Sequence, residues 1–219
     1  MSVINLKNVC CGKGQIQEYL ENISLKVEVG ITVLRGDELS GAALLLEIMG
    51  AMKKVESGDV EIADTDITDF DEDQLAVYRR RYVGMLLAEN CFLPSINIYE
   101  NIILPLELDD SEVDVEYIEQ LADMVGIKTK LFDRYETLTD SEMVRAAFIR
   151  ALSAKPRVVV ASNIEKYLSE KELKTMLGIW RMTASKYQQS IVIYSNDLQL
   201  KSLADHGIEM QKGEIKEIW

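Results

Sequence analysis

The chain has 219 residues, 47% of them hydrophobic and 28% charged, which is typical of one soluble domain with a full core. Its formal net charge of −13 argues against binding to nucleic acid or to an anionic membrane surface. No apolar run approaches the roughly 18 residues of a membrane helix. The N-terminus also lacks the basic and apolar regions of a secretory signal, so we expect a cytoplasmic protein without direct membrane insertion.

The first part of the chain predicts an antiparallel β edge followed by a strand, a loop and a helix. Alternating apolar residues at 3–9 and 23–27 predict short, half-buried strands. The β-branched run at 31–33 predicts another strand, and residues 42–53 are mostly good helix formers.

The middle of the chain predicts one strand and then mainly helices. A strand is expected at 60–62 and a helix from about 72 to 81, whose three terminal arginines we interpret as a solvated helix end. The stretch 90–105 is less regular, because two prolines interrupt it, and a further helix is expected near 114–125.

The last third predicts a buried parallel sheet. Thr139 and Glu142 have the spacing of a capping box, which predicts a helix over 139–152. The continuous apolar runs at 158–161 and 191–194 are typical of strands buried on both faces. A helix between them makes the pair a parallel strand–helix–strand unit.

The cysteines and the histidine give no sign of a metal centre. Cys10, Cys11 and Cys91 match neither a disulfide framework nor a metal-ligand spacing, and His206 is the single histidine. We therefore expect no bound metal.

The stretch GDELSGAALL has the glycine spacing of a phosphate-binding loop but lacks the groups that hold a phosphate. Gly36 and Gly41 are five residues apart, and the pattern then requires Lys followed by Ser or Thr. Ala42 and Ala43 occupy these two positions. We interpret these residues, together with Ser40, as a nonfunctional relic of a nucleotide-binding loop.

The elements, in this order and over essentially the whole length, resemble the nucleotide-binding subunit of ATP-binding cassette (ABC) transporters. The likeness is to the branch that serves lipoprotein-release, macrolide-efflux and cell-division permeases. Five stretches carry it: LKNV at 6–9, SGDVEIADTDITDFDEDQLAVYRRRYVG at 57–84, LPSINIYENIILPLEL at 93–108, LTDSEMVRAAFIRAL at 138–152 and NDLQLKSLADHGIEMQKGEI at 196–215.

The resemblance implies an α/β fold of the P-loop NTPase type. We expect a mostly parallel core sheet, an N-terminal antiparallel β edge and an inserted helical subdomain at roughly 88–153. Together these would form a single domain over 1–219.

The same resemblance implies that the groups which hold ATP are missing. Ala42 stands where the family has the lysine that pairs with the β- and γ-phosphates, and Ala43 where it has the magnesium-binding Ser or Thr. Ala88 stands at the glutamine that senses metal and water. Asp37 and Glu38 add like charges, which at 4 Å repel an anion by about 4 kcal/mol at an effective dielectric of about 20. We therefore expect no cofactor.

The groups that carry out hydrolysis are replaced as well. Ser162 stands at the metal-orienting aspartate and Asn163 at the catalytic glutamate. Asn196 replaces the switch histidine, and Ser169 replaces the aspartate of the loop that joins two subunits. Because an amide cannot take a proton from the attacking water, we expect no catalytic residues and no ATPase activity.

The signature motif, which in the family faces the phosphates held by the other subunit, is only partly retained. Thr139 replaces its serine, Asp140 and Ser141 replace two glycines, and Glu142 matches. Asp140 would place a carboxylate where N–H groups are needed, so donation to a partner's site is disfavoured.

Three function hypotheses follow. The first is a degenerate cassette subunit, a pseudo-ATPase, that docks on an integral-membrane permease through Leu87, Phe92 and Leu93 and pairs with a second cassette subunit as a homo- or heterodimer. The second is an ATP-binding or ATP-hydrolysing subunit that uses magnesium ATP in a heterodimer with an active cassette. The third is a soluble module that has left transport and binds another ligand in the vacated crevice.

Overall fold

The computed structural model describes residues 2–12, 18–87 and 92–219. The strands are β1 (Ser2–Cys11), β2 (Leu20–Glu28), β3 (Gly30–Arg35), β4 (Ser57–Ile62), β5 (Thr65–Asp66), β6 (Val83–Leu86), β7 (Val158–Ser162), β8 (Ser190–Tyr194), β9 (His206–Gln211) and β10 (Glu214–Ile218). The α-helices are α1 (Ala42–Met49), α2 (Glu72–Tyr82), α3 (Ile98–Glu107), α4 (Val115–Met124), α5 (Asp140–Ser153), α6 (Glu170–Tyr187) and α7 (Leu198–Leu203).

A six-stranded sheet forms the centre of the molecule, in the order β10-β9-β3-β8-β7-β6. The strands from β9 to β6 pair in parallel, and only β10 runs antiparallel to its neighbour β9. This arrangement confirms the predicted α/β fold with a mostly parallel sheet, including the parallel pairing of β7 with β8.

The N-terminal strands form a second sheet. β1 lies between β2 and β4, β5 extends β4, and all three pairings are antiparallel. The antiparallel prediction is confirmed, but the strands make a separate four-stranded sheet rather than an edge of the central one. Its apolar face packs with α1 and the central sheet in one cluster, which is how a half-buried sheet removes its apolar side chains from water.

The central sheet is buried on both faces because its side chains alternate between two apolar clusters. Val158 and Val160 of β7 join the cluster that contains α1 and the four-stranded sheet. Val159 and Ala161 join the cluster formed by α3, α4, α5 and α6. Full burial of an aliphatic side chain stabilises a fold by about 1.5–3 kcal/mol, which explains the uninterrupted apolar run in the sequence.

The expectation of irregular structure at 90–105 is wrong in its second half, where α3 forms. Its first turn carries a capping box, since the side chain of Asn97 accepts from the Glu100 N–H at 2.9 Å and Glu100 Oε2 accepts from the Asn97 N–H at 2.7 Å. Pro105 lies in the last turns of α3, where its missing N–H costs one backbone hydrogen bond near the helix end.

Strand β6 is a second element that the pattern did not predict. β6 begins at Val83, directly after the last residue of α2. Because no turn residues separate the two elements, the sequence pattern does not mark where the strand begins. Gly84 allows β6 to approach α5 closely, because a Cβ at this position would lie 2.0 Å from the carbonyl oxygen of Ala151.

The arginines at the end of α2 are more than the solvated helix end that we expected. Arg79 and Arg80 each donate at 2.6 Å to a backbone carbonyl, of Ala51 and Leu108 respectively. Arg81 pairs with Asp109 at 3.0 Å. The three side chains therefore connect the end of α2 to the segments after α1 and α3.

In the part of the chain that the structure describes, every helix is too short or too polar to cross a membrane.

Candidate functional site

The glycine loop, defined as residues 36–43, connects β3 to α1. Gly41 has a positive φ of 86° and precedes the first residue of α1. A Cβ on Gly41 would lie 2.5 Å from the carbonyl oxygen of Tyr19 and 2.8 Å from Leu20 Cδ2. Conformation and space therefore both require glycine at this position.

Ser40 turns its side chain back into the loop. Its Oγ donates to the Asp37 carbonyl oxygen at 2.6 Å and accepts from the Ala42 N–H at 3.2 Å. Its own N–H donates to the same Asp37 oxygen at 3.0 Å. Ser40 is 3% exposed, so the hydroxyl serves the loop and is not presented to solvent.

The side chains of the two alanines offer nothing to a phosphate or a metal. Ala42 is fully buried and Ala43 is half-buried, and a methyl group neither donates nor accepts a hydrogen bond. Among the described residues, no group of three or more His, Cys, Asp or Glu side chains is placed to hold a metal ion.

Asn196, which the sequence analysis places at the position of the switch histidine, is hydrogen-bonded to the first glycine of the loop. Asn196 Nδ2 donates to the Gly36 carbonyl oxygen at 2.9 Å, and Asn196 Oδ1 accepts from the Gly36 N–H at 3.1 Å. The Tyr194 hydroxyl donates to the same Gly36 oxygen at 3.2 Å. The side chain of Asn196 is therefore bonded to the loop itself.

Glu18 lies near the start of α1, where it lines a pocket with Leu44, and the sequence analysis missed it. Burial raises the pKa of Glu18, and the neighbouring Glu47 raises it further. No local signal marks Glu18, because it lies 18 residues before the first residue of the loop, Gly36, and comes near the loop only in the folded chain.

The electrostatic environment of the loop is acidic. Burial raises the pKa of the Tyr194 hydroxyl, and the carboxylates of Glu18, Glu38 and Asp37 raise it further. Three carboxylates thus act on one hydroxyl that contacts the loop. A polyanion approaching this site meets like charge.

Ser162 and Asn163, which the sequence analysis places at the acidic positions of the family, are fixed by backbone hydrogen bonds at the carboxyl end of β7. Ser162 lies beside Tyr194 in the sheet register. Asn163 follows with a left-handed backbone, φ 51° and ψ 34°, and its N–H donates to the Tyr194 carbonyl oxygen at 3.0 Å. Neither side chain carries the carboxylate that orients a metal or activates water.

A carboxylate does lie close by, at Glu165, which the sequence analysis did not single out. Glu165 Oε1 accepts from the buried Ser195 hydroxyl at 2.7 Å. Its Oε2 is buried without a hydrogen-bond partner among the described residues. The sequence could have pointed to Glu165, because it lies three residues after the end of β7, where such folds bind ligands.

The signature stretch, residues 139–142, forms the start of α5 and also contacts α6. Thr139 is the N-cap of α5, and its capping box with Glu142 confirms the predicted start: Glu142 Oε2 accepts from the Thr139 N–H at 2.9 Å. Asp140 is exposed in the first turn of α5. The Ser141 hydroxyl donates to Glu172 Oε1 at 2.8 Å, which connects α5 to α6.

Ser169 and Glu172 form the matching start of α6. The Ser169 N–H donates to Glu172 Oε2 at 2.8 Å, and its hydroxyl donates to the same oxygen at 2.6 Å. These bonds, with Ser141 and the nearby Arg145, hold the pKa of Glu172 at about 2. Ser169 thus caps a helix at the position where the family has an acidic residue between subunits.

The three predicted docking residues differ in exposure. Phe92 is 8% exposed, stacked on Tyr135 and covered by the Arg150 guanidinium, so it belongs to the helical core. Leu87 is half-buried and Leu93 is 47% exposed. Of this set, Leu93 offers most surface to a partner, and Ala88 lies outside the described residues.

An apolar cleft of about 300 Å³ lies beside this region, between β6 and the helices α2, α3 and α5. Met85, Leu104 and Leu108 line it, together with the arginines Arg80 and Arg150.

Comparisons with known proteins agree with this architecture. A family model described as ABC transporter matches residues 20–162. The bacitracin export ATP-binding protein BceA of Halalkalibacterium halodurans is 27% identical over 91% of this chain and 80% of its own length. The lipoprotein-releasing system ATP-binding protein LolD of Bacteroides fragilis is 25% identical over 97% of this chain and 100% of its own length.

A solved structure gives the same fold. A dimeric ATP-binding cassette in a post-hydrolysis state, bound to ADP and Pi, superposes with a TM-score of 0.87 at 22% identity, over 99% of this chain and 97% of that one. With the family model covering well over half of the sequence, the chain belongs to the ABC transporter family.

Proposed function

We propose that this chain is a cassette subunit that works without binding or hydrolysing ATP, as a structural or regulatory partner of an ABC-type membrane complex. The observation that carries the proposal is the bonding of the glycine loop. The Gly36 N–H donates to Asn196, the Ser40 N–H to the Asp37 carbonyl oxygen and the Ala42 N–H to Ser40. Three N–H groups of the loop that could hold phosphates in a P-loop thus have partners inside the chain.

The side chains of the site support the absence of ATP binding. Binding of a nucleoside triphosphate with magnesium depends on positive charge and donors at the terminal phosphates. Ala42 and Ala43 provide neither, and Asp37, Glu38 and Glu18 bring negative charge. A helix N-terminus offers an anion only about 0.3–1 kcal/mol at an exposed site, less than the repulsion from one nearby carboxylate at about 4 kcal/mol. Magnesium ATP therefore does not fit the residues present.

The absence of hydrolysis rests on separate positions. Ser162 and Asn163 cannot orient a metal or accept a proton from water, and Asn196 has no imidazole. These residues come from the ends of different strands, so a single restored side chain would not recreate the site.

A permease and a second cassette are the partners that we propose. The relatives are named as subunits of a bacitracin export and a lipoprotein-releasing system, and the matched structure is a dimer. The exposed Leu93 and the apolar cleft next to Met85 give this chain a surface for an apolar segment of a permease. Attachment through such a permease would place the subunit at the cytoplasmic face of a membrane.

Calorimetric titration with magnesium ATP tests the proposal. We expect no binding heat at sub-millimolar nucleotide, either for the chain alone or for the chain co-expressed with its permease and cassette partner. A dissociation constant in the micromolar range, or phosphate release from the purified chain, would reject it.

An ATP-binding subunit that works beside an active cassette is the second candidate, and Arg35 favours it. This residue ends β3 immediately before the glycine loop, and its Nε is buried without a hydrogen-bond partner among the described residues. If the chain binds ATP through Arg35, the substitution Arg35→Gln should abolish the binding heat, while Arg157→Gln at the start of β7 should leave it unchanged.

A further inference from the structure

Strand β6 leaves one edge of the central sheet open. It is the last strand in the sheet order, and among the described strands it pairs with β7 alone. An edge strand presents backbone N–H and C=O groups that can pair with another chain. The apolar cleft of about 300 Å³ lies at this strand, because Val83, Gly84 and Met85 all line it.

The register of β6 against β7 identifies which backbone groups of β6 are paired. The Arg157 carbonyl oxygen, just before β7, accepts from the Ser190 N–H of β8 at 2.9 Å. Because the backbone groups of successive residues point to opposite sides of a strand, those of Val158 and Val160 point to β6. The residue of β6 that pairs with both is Gly84, since it lies opposite the residue between them.

The neighbours of Gly84 on β6 therefore face away from β7. The Val83 N–H donates to the Arg79 carbonyl oxygen at the end of α2. Met85 has the same orientation two residues later, and its backbone N–H and C=O have no partner among the described residues. Met85 is also 36% exposed. The cleft thus contains an open hydrogen-bonding position of an edge strand.

The charge of the cleft is opposite to that of the chain. Arg79, Arg80 and Arg150 line it, and no Asp or Glu is found among the described residues that do so. Arg79 and Arg80 donate to backbone carbonyl oxygens, which do not neutralise their charge. In a chain with a net charge of −13, this basic and apolar cleft complements a segment that carries apolar and acidic side chains.

A second copy of the chain does not fit this edge. Two β6 strands paired edge to edge would bring the three arginines of both copies together, and like charges across an interface disfavour pairing. The permease is the better partner, because the cleft is connected to the proposed docking residues. The Arg150 guanidinium lies 4.8 Å from the centre of the Phe92 ring, and Leu93 is the next residue.

We propose that an extended segment of the permease, with acidic side chains, adds to β6 as a further strand and pairs its backbone with Met85. The inference deepens the proposed function and rests on it, since it names the binding mode and the chemistry of the partner segment. In strand addition, main-chain hydrogen bonds supply affinity and side-chain contacts supply specificity. A docked helix would contact the apolar wall but leave the Met85 N–H unpaired, so the two modes can be distinguished.

Two peptides of about five residues, the usual length of a strand, test this mode on the wild-type chain. Both have blocked ends; one alternates glutamate with valine, and the other has lysine in place of each glutamate. Binding is followed by NMR, together with hydrogen exchange of the Met85 and Gly84 amides. We expect the glutamate peptide to bind at least about tenfold more tightly than the lysine peptide.

Hydrogen exchange shows whether the bound peptide pairs with the strand edge. In the free chain the Met85 amide should exchange rapidly and the Gly84 amide slowly, because only Gly84 is bonded to β7. The glutamate peptide should slow exchange at Met85. Absence of binding, equal affinity for the two peptides, or a Met85 amide that stays in fast exchange would overturn the inference.

Substitution of Met85 separates its backbone from its side chain. Met85→Pro removes the outward N–H and no bond to β7, since proline is tolerated on the open side of an edge strand. Met85→Ala is the matched control, because it removes the side chain and keeps the N–H. We expect Met85→Pro to weaken the glutamate peptide about fivefold or more and to reduce co-purification with the co-expressed permease, and Met85→Ala to do so much less.

Equal losses in Met85→Pro and Met85→Ala would overturn the inference, and so would full retention of the peptide and the permease by Met85→Pro. The exchange measurement uses the wild-type chain, so it decides the question even if Met85→Pro folds poorly. Failure of the proposed function is seen separately, as binding of magnesium ATP by the wild-type chain. No residue of the glycine loop lines the cleft, so that result would not alter the peptide measurements.

Discussion

The amide of Asn196 forms a reciprocal pair of hydrogen bonds with the backbone of Gly36, at 2.9 Å and 3.1 Å, across 160 residues of sequence. The pair joins the segment after β8 to the segment after β3, which are neighbours in the parallel sheet. The same side chain therefore fixes the start of the glycine loop.

Removal of this pair should destabilise the fold. Asn196→Ala leaves a partly buried N–H and C=O of Gly36 without their partner, so we expect the free energy of unfolding to fall by about 1–3 kcal/mol in urea denaturation. Asn5→Ala is the control, because its amide donates a single long hydrogen bond of 3.4 Å to Glu61, so its removal should change the value much less. A change in Asn196→Ala no greater than in the control would show that the pair contributes nothing.

Two glycines should respond in opposite directions to the same substitution. Gly41→Ala forces a side chain into a left-handed position with a carbonyl oxygen 2.5 Å away, so we expect a loss of at least about 1–3 kcal/mol. Gly178→Ala in α6 meets nothing within 4 Å and should raise stability by about 0.5–1 kcal/mol. Thermal unfolding of the two variants tests the pair, and stabilisation by Gly41→Ala would contradict the geometry of the loop.

The free energy of unfolding should depend on pH through the ionisation of Glu172. Its pKa is about 2 in the folded state and ordinarily 4.5, so the folded protein binds this proton less readily than the unfolded chain. The stabilisation is therefore complete above about pH 4.5 and is lost as the pH falls from there through about 2. Glu172→Gln should lower the free energy of unfolding by about 1–3 kcal/mol at neutral pH, after allowance for partial exposure. The free energy of unfolding of this variant should also fall less steeply than that of the wild type as the pH drops below about 4.5, the range that we call the acid limb.

Glu170→Gln is the control for this pH dependence. Glu170 lies on the same helix and its pKa is lowered by Lys174, but both side chains are largely exposed. We expect a much smaller change in stability and an acid limb like that of the wild type. If Glu172→Gln and Glu170→Gln lose stability equally as the pH falls, Glu172 does not cause the acid dependence.

Docking on a permease should depend on the exposed side chain of Leu93. Leu93→Asp places a charge on a side chain that is 47% exposed, so it should weaken co-purification with a co-expressed permease without unfolding the chain. Ile218→Asp, on β10 at the opposite edge of the central sheet, is the control and should retain the permease. Equal retention by the two variants would place the docking surface elsewhere.

Several elements could be predicted from local pattern alone. The apolar runs of β7 and β8 identified buried parallel strands, because a strand covered on both faces has no polar side. The capping box of Thr139 and Glu142 identified the start of α5, because both partners lie within one helical turn. The substitutions Ala42 and Ala43 were visible for the same reason: their significance depends on position within one short loop.

Other elements could not be predicted, because the interactions that form them are not local. α3 continues past Pro105, and its residues Ile98 and Ile102 pack in the helical core. β6 pairs with the distant strand β7 and approaches α5 closely at Gly84. Proline has a low propensity for helices and glycine a low propensity for strands, yet Pro105 lies in a helix and Gly84 in a strand. Tertiary contacts outweigh the local propensity at both positions.

The sequence by itself determined the fold class, since the order and pattern of its elements identify an ABC cassette, and it places Ala42 and Ala43 where the P-loop pattern has Lys and Ser or Thr. The tertiary structure decided which distant residue contacts the glycine loop. It brought Asn196 to Gly36, because N–H groups and carbonyl oxygens at the end of a buried sheet must find partners, and only the folded chain shows which distant side chain provides them.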